Sequence, residues 1–597
     1  MRLTSSISVA IFLKVYKIMA CCERIINDEA EAILKLEEFS RYKKWVLDLE
    51  TTGLRPWVDS IIGVALNGYY FVILDSNLNP VLTQFIGELW NYLDQKDRVI
   101  IGHNIKFDFN FLRFYKKYLD RDPAEPIKCS IWDTMVGMHI INENLPTYAL
   151  KPLSEELWKG STQQSDELDN QLKLRGLKKN QMYALPLDLV GRYAIQDIEL
   201  TKKLFWYEQK FYEDNHELLT VAIREMEIIK ILSDMEVRGL KINLNKLREL
   251  KQEAEKNIFD LQNTIKKMWG KPDLNLNSSV QVSTYLKMKS VSKAKLEEYK
   301  NIPGVQELLE YRAWQKVLTS YYQVFEEIVD DNGCVHTNLI PMAATGRIRC
   351  SNPNLQALPR QDKIHKVKEV FIPHDPEYVY IFADYAQAEM RLATHYAKEA
   401  TMAKIINSGK DIHAETAVEL FDIPEGHEVS KDKRTIAKRI NFGIIYGIGA
   451  TALAENLGIS VDEAAAHLIN YRGRFPGFAK LAMKTEKIAL SRGTIKYFTG
   501  RKRHLKACDS YKALNSLIQG GISEIVKIDM VRLYTAFLEK GYRAYQVMQI
   551  HDEIIVEAHK SDVNEVAKMM KDIMEDWDFM VPMKVEITIK ENWGPVE

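Results

Sequence analysis

"YVYIFADYAQAEMRLATHY" runs from Tyr378 to Tyr396. An apolar, aromatic-rich run feeds into Asp384 and a helical pattern follows, so the chain passes from a buried strand through an acid into an amphipathic helix. Further on, "VMQIHDEIIVEAH" (Val547–His559) sets two apolar strands on either side of "HDE". A hairpin of that layout holds Asp552 and Glu553 at its tip. These strands flank a helical block at about 395–540, which predicts an α+β domain with a helical insertion from about residue 330 onward. Acids at the ends of two apolar strands suit a shared metal pair. Taken singly, each could equally be a capping or turn acid.

Inside the helical block lies "RTIAKRINFGIIYG" (Arg434–Gly447). On a helix, Arg434, Lys438, Phe442 and Tyr446 share one face. Spacing alone leaves two readings open: a solvated edge running into a core, or a platform charged at one end and flat at the other. Beside the acids, Arg434 and Lys438 suit a triphosphate through charge-assisted contacts. Phe442 and Tyr446 suit a base, because stacking needs only a π-face. "GIIYG" allows close packing or a bend near the helix end.

From about 41 to 205, apolar strands alternate with helical patterns: "KWVLDLETTG", "IIGVALN", "YYFVILD", "RVIIGHN", then "FDFNFLRFYKKYL". This predicts an α/β domain with a mixed sheet. The polar stretch 159–181 within it reads as a long loop or weak helix. "VLDLETTG" puts Asp48 and Glu50 two apart on a strand, hence on one side of the sheet. Two like charges at the end of a buried strand call for a cation. Asp108 follows the strand "RVIIG", and "YAIQDIELT" sets Tyr193 and Asp197 four apart on one helix face. A single DxE is ordinarily structural; the ordered set fits two-metal phosphodiester hydrolysis, with Tyr193 orienting the attacking water.

The chain has 597 residues, 46% hydrophobic and 27% charged, with a net charge of −1. That length accommodates about three to five domains, with cores large enough to need no disulfide staple. Cys21, Cys22, Cys129, Cys334, Cys350 and Cys508 show neither CxxC nor zinc spacing and read as free thiols in a reducing compartment. Near-neutral charge does not advertise a nucleic-acid binder, but metal-binding carboxylates offset a basic groove. The basic clusters "KDKRTIAKR" (431–439) and "GRKRHLK" (500–506) each read, alone, as a solvated face. Between 247 and 268, Leu247, Leu250, Ala254, Ile258, Leu261, Ile265 and Met268 form one apolar stripe on a long helix, which "KPDLNLNSS" (271–279) ends. The N-terminal "MRLTSSISVAIFLKVYKIMACC" is interrupted by Lys14 and Lys17 and is too short and charged to span a membrane. It lacks a clear cleavage site for a signal peptide; an organellar presequence, or an upstream start with translation from Met19, fits as well.

The ordered motifs DxET, NxxFD and YxxxD resemble the 3′–5′ exonucleases of the DEDD superfamily in their tyrosine variant, over about 41–205. Every motif residue is present. The resemblance implies a ribonuclease H-like domain active in proofreading, with Asp48, Glu50, Asp108 and Asp197 as metal ligands. The order DYxQxExR, RxxxKxxxNFGxxYG and HDE resembles family A DNA polymerases. It extends to "TGRIRCSNPNLQALP" (345–359), "GKDIHAETA" (409–417) and "NSLIQG" (515–520), and the two resemblances together cover about 40–597.

The second resemblance implies an α+β right hand over 206–597: thumb at about 245–330, fingers at about 395–540, palm the remainder. Residues 1–40 are then an N-terminal extension, with no 5′-nuclease domain before the exonuclease. Asp384 and Asp552 would hold two Mg²⁺ ions, with Mn²⁺ able to substitute, and Glu553 would be an auxiliary acid. Arg434, Lys438 and His413 would bind the incoming phosphates, with Lys438 a candidate proton donor to pyrophosphate. Gln387 would join the nucleotide pocket, Phe442 would stack on the nucleotide, Glu389 would exclude a ribose 2′-hydroxyl, and Tyr446 would pack near the templating base. Arg347, Asn354, Gln356, Asn515, Gln519 and His551 would contact primer or template, partly through minor-groove acceptors that report pair shape rather than sequence.

Ala386, Ala388 and Met390 depart from a more usual Ser, Ile and Leu, which puts sugar selectivity in question; "GISEIVK" after "IQG" departs from "TAADIIK" and bears on packing under the primer. The expected partners are primer-template DNA, deoxynucleoside triphosphates and unidentified replication accessory proteins. The expected state is a monomer off the membrane, in the cytoplasm of a bacterial or phage-infected cell, or in an organelle if residues 1–22 belong to a presequence. Two rival readings are an exonuclease whose C-terminal half only binds DNA, and a structural DNA-binding module. The first requires Asp384 and Asp552 to be dispensable; the second has no need of two complete acid sets.

Overall fold

The computed structural model describes residues 24–115, 125–424 and 427–594. The readings of Lys14, Lys17, Met19, Cys21 and Cys22 fall outside them. Among the described residues, six strands form one sheet: β1 (Ile25–Ile26), β2 (Lys44–Thr51), β3 (Ile61–Leu66), β4 (Tyr69–Val72), β5 (Val99–Gly102) and β6 (Ser130–Asp133), in the order β1–β4–β3–β2–β5–β6. β3 runs antiparallel to both β2 and β4, while β5 and β6 continue parallel to β2. The sheet is therefore mixed, as the sequence predicts. β2 is central and buries Trp45, Val46, Leu47 and Leu49. A strand covered on both faces reads as a near-continuous apolar run, which is why "KWVLDL" lacks clean alternation. Helices α1 (Ile105–Tyr115) and α2 (Leu187–Glu213) pack against it.

This unit takes in residues ahead of 41. β1 pairs parallel with β4, and Ala32, Leu36 and Phe39 of the helix Glu29–Phe39 lie in the same core. Their small number of apolar positions at helical spacing hides them in a charged stretch. The polar stretch 159–181 contains a helix, Gln163–Leu174, that buries Leu168 and Leu172.

The second sheet is wholly antiparallel. Its strands β7 (Tyr378–Tyr385), β8 (Ala544–Ile550), β9 (Glu553–His559) and β10 (Val585–Lys590) lie in the order β8–β9–β7–β10. The hairpin predicted at "HDE" is present, with His551 in the left-handed region (φ 57°) where the chain turns. Register places Asp384 opposite Glu553 on one side and Glu586 on the other. Three acids thus form a row across adjacent strands, an arrangement that is repulsive without a cation.

Helix α3 (Leu244–Trp269) carries the predicted stripe, divided between two cores. Leu247, Leu250 and Ala254 join the core around the second sheet, while Ile265 and Trp269 join a separate cluster with Leu296, Val305 and Leu308. Met268 is 53% exposed, and its neighbour Trp269 takes the buried position. The helical block is interrupted by a short hairpin, Thr494–Lys496 with Lys502–His504.

That hairpin overturns the solvated-face reading of "GRKRHLK". Arg501 is fully enclosed, its Nε donating to Glu524 Oε1 at 2.6 Å and its Nη2 pairing with Glu225. Lys527 Nζ donates to both oxygens of Glu225, at 2.9 and 2.7 Å, and Arg224 pairs with Glu524. Burial alone would push the Glu524 carboxyl up, yet Arg501, Arg224 and Lys527 hold it down at about 2. Removing one member of such a set strands a buried charge, at a cost of about 3–5 kcal/mol. Arg503 and His504 meet Glu143 of the N-terminal unit at 2.7 and 2.8 Å. The cluster therefore serves to join elements. Glu524 and Lys527 belong to "GISEIVK", and a side chain at Gly521 would meet Leu392 at 2.6 Å. Among the described residues no helix is long and apolar enough to cross a membrane.

Candidate active sites

β2 and α2 build the first site. Asp48 and Glu50 project from the end of β2, and α2 presents Asp197, so that one carboxylate oxygen from each of the three lies within 4.8 Å of the others. Burial raises all three carboxyls, and mutual repulsion adds to the rise of Asp48, which reaches about 7, and of Glu50. Asp197 Oδ1 is buried with no hydrogen-bond partner. An orphaned acceptor inside a converging oxygen set fits a hard divalent cation.

Asp108 lies next to this trio without joining it. Its Oδ1 accepts from the Leu49 amide at 2.8 Å, tying α1 to β2. Burial and then Asp48 push its carboxyl well above the usual range. Tyr193 is buried on α2, one turn before Asp197. Lys151 is the residue the sequence reading missed: its Nζ reaches Tyr193 Oη at 2.5 Å and pairs with Asp197. No periodicity or motif marks it.

The second site sits where β7 meets the β8–β9 turn. The Tyr385 amide approaches the Asp552 carbonyl at 3.4 Å, which draws the turn against the end of β7 and brings Asp384 and Asp552 to one cleft. Desolvation, then Asp552 and Glu586, raise the Asp384 carboxyl to about 6. Desolvation and then Asp384 raise Glu553 to about 7. Asp552 is raised as well, by burial and then by Glu389. Among the described residues no trio here closes to the spacing of the first site. Glu586 was also missed, although "VEITIK" alternates in a way that could have revealed a strand carrying an acid.

Across the cleft runs the helix Lys431–Ile445, capped by Ser430. Ala437, Ile440 and Asn441 face the core, whereas Lys438 is exposed, Arg434 and Phe442 are partly exposed and Tyr446 is 46% exposed. The four-residue row is thus an accessible platform, and the edge-into-core reading fails. Arg434 Nε and Nη2 both donate to Asp411 Oδ2, at 3.0 and 2.6 Å. Asp411 also caps the helix that carries His413, whose ring centroid lies 5.7 Å from that of Phe442. Asn441 Nδ2 donates to His413 Nδ1 at 3.1 Å, leaving the imidazole proton on Nε2. Burial, and to a lesser degree Lys438 and Arg434, hold His413 below its ordinary value.

Glu389 joins the two sides of the cleft: it accepts from Arg347 Nη2 at 3.2 Å and from Tyr446 Oη at 2.9 Å. Gln519 also meets the Tyr446 hydroxyl. Ala388, one residue away, is buried in the core behind Glu389. Gln387 is exposed, in the left-handed region just before the helix Ala388–Ala397. Gln356 Nε2 donates to the carbonyls of Ile348 and Gln549, at 3.2 and 3.0 Å. Asn354 and His551 are exposed, and Asn515 Oδ1 is buried without a partner.

Residues 244–595 match the sequence model of DNA polymerase family A. The chain belongs to DNA polymerase family A. This family A chain is 29% identical to DNA polymerase I of Borreliella burgdorferi over 610 residues, covering 96% of the chain and 64% of that protein. It is also 29% identical to DNA polymerase I of Helicobacter pylori, covering 89% of the chain and 59% of that protein. The chain thus spans somewhat under two thirds of the curated relatives it matches. A solved structure, the POL domain of Pol1 from M. smegmatis in complex with DNA primer-template and dNTP, shares the fold at a TM-score of 0.78. That likeness spans 95% of this chain and 99% of that one, at 21% identity.

Proposed function

We propose that this family A chain is a template-directed DNA polymerase with a 3′–5′ proofreading exonuclease. The observation that carries the reading is the presence, in one chain, of two separate carboxylate clusters, each at the end of an apolar strand. One of them faces an accessible helix row of cations and rings. The mixed sheet with acids on its central strand supports a ribonuclease H-like exonuclease at about 41–205, with β1 and the helix Glu29–Phe39 added to its edge. The antiparallel sheet supports a palm, with fingers at about 395–540 and a thumb at about 245–330.

Both sites have the donor chemistry for Mg²⁺, or Mn²⁺ in its place: Asp384 and Asp552 in the palm, and Asp48, Glu50 and Asp197, with Asp108 beside them, in the exonuclease. Bound there, such ions would acidify the attacking oxygen and stabilise charge on the leaving one. In synthesis, the primer 3′-oxygen bonds to the α-phosphorus, the bond to the bridging oxygen breaks, and pyrophosphate leaves. Lys438 is free to meet the phosphates and donate a proton to that leaving group. Arg434 would exchange Asp411 for phosphate, and His413 offers its Nε2 proton. Glu389, held by Arg347 and Tyr446, stands as a fixed carboxylate against a 2′-hydroxyl. In editing, water bonds to the terminal phosphorus and the 3′-oxygen of the penultimate nucleotide leaves, with Tyr193 orienting the water.

The assay that tests the reading is a primed template incubated with Mg²⁺, with and without deoxynucleoside triphosphates. Extension is expected with them and 3′ degradation without; neither activity would overturn the proposal. Phe442 lacks a phenolic hydroxyl, which in this family is linked to rejection of dideoxynucleotides. Phe442→Tyr should raise the dideoxy-to-deoxy incorporation ratio in a termination ladder, and an unchanged ratio would mean that the ring does not face the sugar.

The cation fit has a pH signature. Asp384, Asp48 and Glu553 have folded values of about 6 to 7, above their unfolded ones. Without a cation their stability contribution is full below the unfolded values and is lost as pH rises through 6 to 7. A cation offsets that loss. Mg²⁺ should therefore raise the Tm more at about pH 8 than at about pH 5. Equal shifts in a thermal-shift titration would count against both metal sites.

A further inference from the structure

Lys151 is held at the exonuclease site from two directions. It lies in the helix Leu150–Leu157, whose Leu150 and Leu153 pack against Leu200 and Leu204 of α2, the helix that carries Tyr193 and Asp197. Just upstream, the Tyr148 carbonyl meets His103 Nε2 at 2.7 Å, fastening the segment to the end of β5. The ammonium is 2.5 Å from Tyr193 Oη, lies 4.0 Å from the centroid of that ring, and pairs with Asp197 Oδ2. Asp197 Oδ1 is left buried and unpartnered, and one Asp197 oxygen converges with oxygens of Asp48 and Glu50.

We propose that Lys151 is a positioning residue of the exonuclease, fixing the Tyr193 hydroxyl and turning the open oxygen of Asp197 toward the other two acids. The inference rests on the exonuclease reading above. An ammonium has three donors and no acceptor. Tyr193 Oη must therefore accept from Lys151, and it keeps its own proton to donate, with the Asp197 carboxylate one acceptor within reach. The same ammonium occupies one oxygen of Asp197 and so fixes the rotation of the carboxylate. Lys179 supplies the natural comparison: its ammonium lies 5.3 Å from the centroid of the Tyr193 ring. If only positive charge near the acids mattered, either lysine would serve.

The experiment measures single-nucleotide excision from a labelled single-stranded oligonucleotide by the full chain. Wild type must degrade it and Asp48→Ala must not; failure of either condition overturns the exonuclease reading itself. With both met, Lys151→Met should lower kcat by roughly 10–100-fold with KM within about twofold, the range typical of groups that orient metal ligands. Primer extension should stay at the wild-type level. Lys151→Arg, which can donate to both partners, should recover most of the loss, and Lys179→Met should cost no more than about threefold, as a nearby exposed charge does. Wild-type kcat in Lys151→Met, equal losses at Lys151 and Lys179, or no recovery by arginine would each overturn the positioning role.

Discussion

Asp384→Ala is expected to abolish primer extension, by at least about 10³-fold or ~4 kcal/mol of transition-state stabilisation, while 3′ degradation continues at the wild-type rate. The size follows from the geometry of the second sheet. Asp384 lies between Glu553 and Glu586 in register and shares its cleft with Asp552. It is the acid through which this row would hold a cation against the primer 3′-oxygen. The fold should tolerate the change. Asp384 lies one residue before the end of β7, and its removal relieves the desolvation, and then the repulsion from Asp552 and Glu586, that raise its carboxyl to about 6. Tm should be equal or higher, so loss of extension with an unchanged melting curve isolates chemistry from folding. Extension surviving in this variant would mean that the palm assignment is wrong.

Asp48→Ala should give the mirror result: 3′ degradation falls by at least about 10³-fold and extension is unaffected. Asp48 is one of three acids whose oxygens converge within 4.8 Å, and its loss leaves Glu50 and Asp197 unable to surround a cation. This variant should also be as stable as wild type or more so, because burial and the Asp197 charge hold the Asp48 carboxyl up at about 7. The two sites lie on different sheets with separate cores, so their effects should add independently in the double variant. A drop in extension in Asp48→Ala would point to one shared site.

Much of this arrangement is legible in the sequence because it rests on local period. Asp48 and Glu50 two apart on β2, Tyr193 and Asp197 four apart on α2, and the row from Arg434 to Tyr446 all follow from repeat geometry. The strand ending at Asp384 and the hairpin at "HDE" follow from apolar runs and one turn. What escaped depends on contacts remote in sequence. Lys151 reaches Asp197 across 46 positions, and Arg501 meets Glu225 across 276. A basic run such as "GRKRHLK" looks the same whether it is solvated or enclosed by acids from elsewhere. Trp269 displaced Met268 from the stripe because the helix changes partner along its length, from the core around the second sheet to the cluster around Val305. Asp108 illustrates a finer limit: the sequence places it beside the strand, while only the fold reveals that one oxygen is committed to the Leu49 amide.

Editing and extension by one chain can be read together from a primer carrying a single 3′-mismatched nucleotide, annealed to template with Mg²⁺ and all four deoxynucleoside triphosphates. Sequencing the products should reveal the template-encoded base at the former mismatch, with Asp48→Ala retaining the mismatch or stalling on it. Wild-type products that keep the mismatched base would mean that the chain does not edit before it extends.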